Sequence, residues 1–304
     1  MDEPWLRDLL DRATAGEPPI GPLAVNALRT GIRRRRRRRA QSTVACVAAV
    51  ALIGAAAVAA TRAAGRPAAG PAKYTGPSTT YVLSGEGNLY AIPDATKVRS
   101  KRILLPGGRQ YMAITPNGKT LYAVSSSTPF KGPSYVIPIA TATNTPGQPS
   151  NLGEGGGAPA ITPDGRILYL ADYGAISGPY GVIPFRTATN RAGKMIKVDG
   201  FVYAIAVTPD GNTAYVASEP RQKPAATCTG QTGVVTPIST ATNLLRRPIR
   251  VACDPYAIVV TPDGKTVWAG SQHWVTPIST ATDRAGKPTT FRGSLVAIVV
   301  GPTP

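Results

Sequence analysis

Histidine is nearly missing from these 304 residues: His273 is the one copy. A metal site made of several imidazoles is therefore excluded. Cysteine is almost as scarce. Cys46, Cys228 and Cys253 are too few for a disulfide framework, though enough for one bond. There is no nucleophile elbow, no phosphate-cradling loop and no cysteine–histidine pairing, so the common catalytic sets are absent. Only 16% of the chain is charged, and that charge leans one way, with 34 Lys and Arg against 16 Asp and Glu.

Long apolar runs are also rare, with one exception. Residues 40–61, AQSTVACVAAVALIGAAAVAAT, carry no charge over 22 positions. As a helix this stretch would measure roughly 33 Å, enough to cross a hydrocarbon core of about 30 Å. Three readings compete: a membrane anchor, a signal peptide cleaved near Ala59, and a buried soluble helix. The stretch before it, residues 1–39, is long for a signal's basic region, which favours the anchor. Cys46 lies inside the run, which argues against a lipoprotein. Arg29 and Arg33 to Arg39 precede the span, whereas only Arg62, Arg66 and Lys73 follow closely. The positive-inside rule then puts the N-terminus in the cytoplasm and everything after the span outside the cell membrane. The arginine run has no aromatic platform or nucleic-acid-binding fold beside it, so nucleic acid is not the expected partner. The expected organisation is a short cytoplasmic helical and basic segment at 1–39 and a transmembrane helix at 40–61. An Ala/Gly/Pro linker follows at 62–78, then an extracytoplasmic domain at 79–304.

That last domain is repetitive. TPNGKTLYAV from Thr115 returns as TPDGRILYLA from Thr162, TPDGNTAYVA from Thr208 and TPDGKTVWAG from Thr261. Proline presets one corner of a turn and glycine accepts the left-handed corner, so each copy reads as a β-hairpin. A second motif follows each hairpin: VIPIATATN, VIPFRTATN, VTPISTATN and VTPISTATD, ending at Asn144, Asn190, Asn243 and Asp283. Its prolines, Pro138, Pro184, Pro237 and Pro277, suggest a bulge or a strand end. Each repeat supplies four strands, A to D, the unit of a β-propeller blade.

The stretches AIAVTPDGNTAYVAS and VTPISTATNLLRRPIRV resemble the YVTN-type β-propeller repeat of prokaryotic, notably bacterial, surface proteins. Propellers of the lactonase and amine-dehydrogenase groups are related to it. The resemblance covers residues 79–304 and implies an all-β propeller. It departs from the pattern in two places. The eponymous tetrapeptide reads YAVS, YLAD, YVAS and WAGS here, and the usual third-strand aspartate is Ala140, Arg186, Ser239 or Ser279. Seven blades are usual for the family, but this chain shows five. Four repeats are complete. The domain starts with strands B to D (79–97 and onward) and ends with a strand A, VAIVVGPTP, so the termini are expected to close one blade together.

Spacing separates the two ends of the blades. From the turn threonine to the aromatic (Tyr122, Tyr169, Tyr215, Trp268) is always 7 residues. From the strand C proline to the final Asn or Asp is always 6, and from there to the next turn 18. All length variation lies between aromatic and proline, in gaps of 16, 15, 22 and 9. These are the B–C loops, and function concentrates on such loops. Candidate binding residues on that face are Phe130, Lys131, Tyr135, Asp172, Tyr173, Tyr180, Glu219, Arg221, His273 and Trp274. No catalytic or metal-ligating residue is assigned, and no cofactor is required. Six acids on the same side (Glu86, Glu154, Asp172, Asp199, Glu219, Asp254) would bind Ca²⁺ if several converged. Cys228 in the longest loop and Cys253 in the linker of the same blade are the expected disulfide. The basic residues of strand D are read as guards of an exposed edge.

Two functions follow. One is a membrane-anchored extracytoplasmic binding module for an envelope protein, peptide or glycan. The other is a lactonase-like hydrolase with a cation at the channel mouth. Topology has a direct check. A cysteine placed at Ala68 should react with a membrane-impermeant thiol reagent on intact cells, while a mature N-terminus near residue 60 would show cleavage instead of anchoring.

Overall fold

The computed structural model describes residues 79–300 apart from 85–87, 94–100, 106–108, 127–131, 154, 173–178, 221–231, 293–294, 296–297 and 299. All belong to the second of the two units into which the chain divides, residues 46–304. The expected span at 40–61 lies outside them. Among the described residues no helix is long and apolar enough to cross a membrane.

The described strands form five antiparallel sheets in chain order. The first holds β1 (Thr79–Leu83), β2 (Leu89–Pro93) and β3 (Lys101–Ile103). The second holds β4 (Arg109–Ile114), β5 (Thr120–Ser126), β6 (Ser134–Ala140) and an outer strand in two pieces, β7 (Thr145–Pro146) and β8 (Ser150–Gly153). The third repeats this with β9 (Gly156–Ile161), β10 (Ile167–Asp172), β11 (Gly181–Arg186), β12 (Arg191–Ala192) and β13 (Ile196–Lys197). The fourth has β14 (Phe201–Val207), β15 (Thr213–Glu219), β16 (Gly233–Ser239) and β17 (Ile249–Val251). The fifth has β18 (Ala257–Val260), β19 (Thr266–Gly270), β20 (Trp274–Ser279), β21 (Arg284–Ala285) and β22 (Thr289–Thr290). The inner strands β4, β9, β14 and β18 adjoin one another in that order.

Sheets pack face to face, and this explains why strand B reads as an unbroken apolar run. Alternate side chains of a strand point to opposite faces, and here both faces are covered. Leu121 and Ala123 pack toward the first sheet, while Tyr122 and Val124 pack against Leu168, Leu170 and Phe185 of the third. Tyr169 and Ala171 meet Val202, Ala214 and Val216, and Tyr215 and Ala217 meet Val267 and Ala269.

The repeated aromatic also does something its spacing only hinted at. Its hydroxyl reaches across to the next sheet's C–D turn. Tyr81 donates to Asn144 Oδ1 at 2.5 Å, Tyr122 to Asn190 at 3.4 Å, Tyr169 to Asn243 at 2.9 Å and Tyr215 to Asp283 at 2.7 Å. Each acceptor is the last residue of the TATN or TATD motif and sits at positive φ, from 50° to 57°. Asn and Asp tolerate that left-handed backbone better than other side-chain-bearing residues. Burial pushes the Tyr169 hydroxyl up to about 12, so the phenol stays a donor.

The turns are tied within each sheet as well. The Thr115, Thr162, Thr208 and Thr261 hydroxyls donate to the side chain two residues on, Asn117 or Asp164, Asp210 and Asp263. That same side chain accepts the N–H of Lys119, Arg166, Asn212 or Lys265. The first threonine of each TAT motif (Thr141, Thr187, Thr240, Thr280) then donates to the turn glycine's carbonyl at 2.5 to 2.7 Å.

The strand C prolines are corrected by the structure. They mark neither bulge nor strand end: Pro138, Pro184, Pro237 and Pro277 lie inside β6, β11, β16 and β20, paired with Tyr122, Tyr169, Tyr215 and Trp268. Each proline carbonyl accepts an N–H from the outer strand, of Gly147, Gly193, Arg246 or Gly286, at 2.7 to 2.8 Å. The proline nitrogen faces the same side, where the outer strand breaks at 147–149, 193–195, 246–248 and 286–288. No ladder bond is lost, so the rule that keeps proline from central strands is satisfied.

Two measurements follow. Tyr169→Phe and Asn243→Gly remove the two ends of one bond while keeping packing and the left-handed backbone. Each should cost about 1 kcal/mol in denaturant unfolding, and the pair should cost little more than either alone. Asp164 would be raised by burial, but the Thr162 hydroxyl and the Arg166 N–H and charge outweigh this and lower it. Asp210 is lowered by Thr208 and Asn212 against burial, and Asp263 chiefly by the Thr261 hydroxyl. A carboxylate lowered on folding stabilises above its unfolded pKa of about 3.9, and that stability is lost as pH falls through the folded value. The triple variant Asp164→Asn, Asp210→Asn, Asp263→Asn keeps the acceptor, as Asn117 does. Its melting temperature should lie below wild type at pH 7, and the gap should close as pH drops below about 4.

Candidate binding face

The register settles which loops share an end. Phe201 pairs with Glu219, and Asp172 pairs with both Gly156 and Gly181. B–C loops and D–A linkers therefore emerge together, opposite the Thr-Pro-Asp-Gly turns.

At this end the third and fourth sheets build an aromatic and acidic cluster. β14 carries a register shift between Val202 and Ala204, which leaves Tyr203 as the extra residue of a bulge. Bulges re-aim side chains, and the Tyr203 hydroxyl donates to Glu219 Oε2 at 3.1 Å. Glu219, at the end of β15, is 6% exposed. Burial first, then the Glu219 and Asp254 charges, push the Tyr203 phenol well above its usual range. Phe201 lies tilted against Tyr203, at 5.0 Å between centroids and 57° between planes, and meets the edge of Tyr180 at 5.8 Å. The Tyr180 carbonyl accepts the Val198 N–H at 3.0 Å, so this side chain stands on a fixed backbone. Gly200 makes the approach possible: its φ is +85° and a Cβ would overlap the Glu219 carbonyl.

The other expected residues are spread out. His273 is exposed and lies edge-on to half-buried Trp274, at 5.9 Å, on the fifth sheet at the same end. Asp172 is 7% exposed at the end of β10. Tyr135 is not a loop residue: it lies in β6 and packs on the core between the first and second sheets. Phe130, Lys131, Tyr173, Arg221 and Cys228 lie outside the described residues. Cys253 is buried and disulfide-bonded. Among the described residues no three His, Cys, Asp or Glu side chains group as a metal site would require.

Two features were missed from sequence. Phe201 and Tyr203 precede a repeat turn and look like ordinary strand residues; only the bulge turns them to use. The second is the residue three after each aromatic: Ser84, Ser125, Asp172, Ser218 and Ser271. All are polar, and the last four are buried at the strand's loop end. Ser218 Oγ donates to the Asp199 carbonyl at 3.0 Å and Ser271 Oγ to the Trp274 carbonyl at 3.4 Å, while Ser84 Oγ accepts the Asn88 N–H at 3.1 Å. Those three fasten the loop end, whereas the buried Ser125 Oγ makes no hydrogen bond among the described residues. The signal was present as the last letter of YAVS, YLAD, YVAS and WAGS.

No protein-family model matches the chain, and no curated protein sequence matches it. Solved structures do. Hydrazine synthase of Kuenenia stuttgartiensis is similar at 25% identity and a TM-score of 0.51, over 65% of this chain and 52% of that one. The dihydro-heme d1 dehydrogenase NirN, in complex with DHE, is similar at 15% identity and a TM-score of 0.51, over 71% of this chain and 44% of that one. This chain thus spans about half the length of either. Both are β-propeller proteins, and the likeness shows a β-propeller fold. Fold alone brings over neither activity nor ligand.

Proposed function

We propose that the chain is a five-bladed, YVTN-type propeller held outside the cell membrane by one helix at 40–61, and that its loop end is a binding surface for an envelope protein, peptide or glycan. One observation carries this reading. The turn end spends its repeated polar groups on bonds within and between sheets, whereas the loop end clusters Tyr180, Phe201, Tyr203 and Glu219 and carries His273 beside Trp274 on the fifth sheet. Aromatics with mixed charge are the residues that supply recognition energy.

Ring closure through the termini has support of its own. Beyond β22 the chain crosses back over the fifth sheet. Phe291 N–H donates to the His273 carbonyl, Leu295 N–H to the Gln272 carbonyl, and the Tyr256 hydroxyl to the Leu295 carbonyl at 2.6 Å. Leu295 and Ile298 lie against Gly270, where a Cβ would crowd both. Among the described residues the first sheet has strands B, C and D, which leaves a place for a strand A. The Cys253 disulfide, which we pair with Cys228, fits an oxidising compartment.

The test uses the full chain. After in-cell crosslinking identifies a partner, its affinity is measured against His273→Ala with Trp274→Ala, and against Lys119→Ala with Lys265→Ala at the turn end. The first pair should weaken binding at least about tenfold, or 1.4 kcal/mol, and the second should leave it unchanged. The reverse result would place the binding surface at the other end.

A further inference from the structure

The turn end carries an apolar spot that the other complete repeats lack. Leu244 and Leu245 follow the C–D turn of the fourth sheet and are 67% and 45% exposed. The equivalent pairs are Thr145–Pro146, Arg191–Ala192 and Arg284–Ala285. Those pairs form short strands, whereas here a single bridge joins Ile238 to Leu245. The segment is still held. Asn243 N–H donates to the Ser239 carbonyl at 2.7 Å, Ser239 N–H to the Leu244 carbonyl at 3.0 Å, and Arg246 N–H to the Pro237 carbonyl at 2.8 Å. Two leucines are thus presented on a fixed backbone. Beside them, Arg246 reaches Asp283 of the fifth sheet at 3.3 Å and Arg247 is exposed, whereas Arg250 pairs with Val234 toward the loop end.

A second observation concerns the tether. Thr79 pairs with Pro93, at the end of β2 that leads into the first sheet's C–D turn. A chain arriving from a span at 40–61 therefore joins the domain at the turn end, the end that bears Leu244 and Leu245. The 17 residues from 62 to 78 can reach at most about 60 Å.

We propose that Leu244, Leu245, Arg246 and Arg247 dock the turn end of the propeller on an anionic lipid surface, leaving the loop end facing away from the membrane. The proposal rests on the anchored reading for its orientation. Two leucines flanked by arginines match an acyl–headgroup boundary, where apolar side chains insert and each basic residue strengthens association about fivefold. A protein partner would need roughly 1,000 Å² of complementary surface, far more than two leucines offer. Charge agrees: from Lys73 onward the chain has 22 Lys and Arg against 11 Asp and Glu.

The experiment places the full chain in vesicles of phosphatidylcholine, with or without about a third phosphatidylglycerol. A bimane label is attached at Ala241→Cys, beside the leucines, or at Gln272→Cys, at the loop end, both in a Cys46→Ser background. Nitroxide-bearing lipids should quench the label at 241 at least about threefold more than at 272, and only with the anionic lipid present. Leu244→Ser with Leu245→Ser should abolish the difference without lowering the melting temperature. Arg246→Gln with Arg247→Gln should reduce it severalfold. Equal quenching at both sites, quenching indifferent to lipid charge, or shielding of the 241 label only on adding an envelope protein would overturn the proposal. Carbonate extraction tests the anchor separately. An extractable chain that is still quenched docks without being anchored, while a resistant chain that is not quenched is anchored but undocked.

Discussion

The bond from a strand B tyrosine to the left-handed Asn or Asp of the next sheet organises the molecule. It asks three things at once: an aromatic long enough to cross the gap, a turn that ends at positive φ, and a carbonyl or carboxylate oxygen there to accept. Tyr169 and Asn243 supply all three at 2.9 Å. Because the donor also packs into the core between sheets, one side chain sets both the apolar contact and the angle at which the next sheet arrives. Any insertion between turn and aromatic, or between proline and Asn, would move one partner out of reach. That is the physical reason those intervals do not vary.

The constraint divides the molecule. At the turn end, hydroxyls, carboxylates and carbonyls are engaged in bonds that repeat from sheet to sheet. At the loop end the strands need only be fastened, and Ser84, Ser218 and Ser271 do it with single bonds of no fixed pattern. Loop length is then free, and chemistry can be local: a bulge at Tyr203, a buried Glu219, a tyrosine edge on Phe201. The departure at the turn end, Leu244 and Leu245, falls just beyond the bonded residue Asn243, where the constraint has ended.

The legible part of the fold is whatever repeats. Strand order, the identity of the hairpins and the separation of a constant end from a variable one all follow from four aligned copies. The proline assignment failed because a single strand was considered alone. Pro138 looks costly in a central strand until the outer strand is seen to break opposite it, and that break has no signature beyond Gly147 and Pro149. The Tyr–Asn bond was hidden for a related reason: its partners lie 63 to 74 residues apart, in different repeats, and each looks sensible within its own. Tyr135 and Tyr180 show the limit for the site. Both were expected on loops, yet only Tyr180 joins the cluster: Tyr135 stands three residues before its strand C proline and Tyr180 four, and one residue of register changes the face a side chain takes.

The repeats also say where the ring is made differently. In the proposed closure the fifth sheet must meet the first, and the two positions that would form the bond carry Trp268 and Lys97. An indole N–H can donate, but an ammonium group has no lone pair to accept it. Both halves of the bond are changed together at the proposed seam, where chain connectivity would differ from every other junction. At the other four junctions the next sheet follows directly in sequence, and the tyrosine only has to orient what the linker already delivers. At the proposed seam the two termini would meet within a single sheet, so a backbone ladder between the last strand and β1 would hold what a side-chain bond holds elsewhere. A ladder of several backbone bonds is stronger than one phenol contact, and in the proposed closure it would remove the need for the tyrosine and asparagine there.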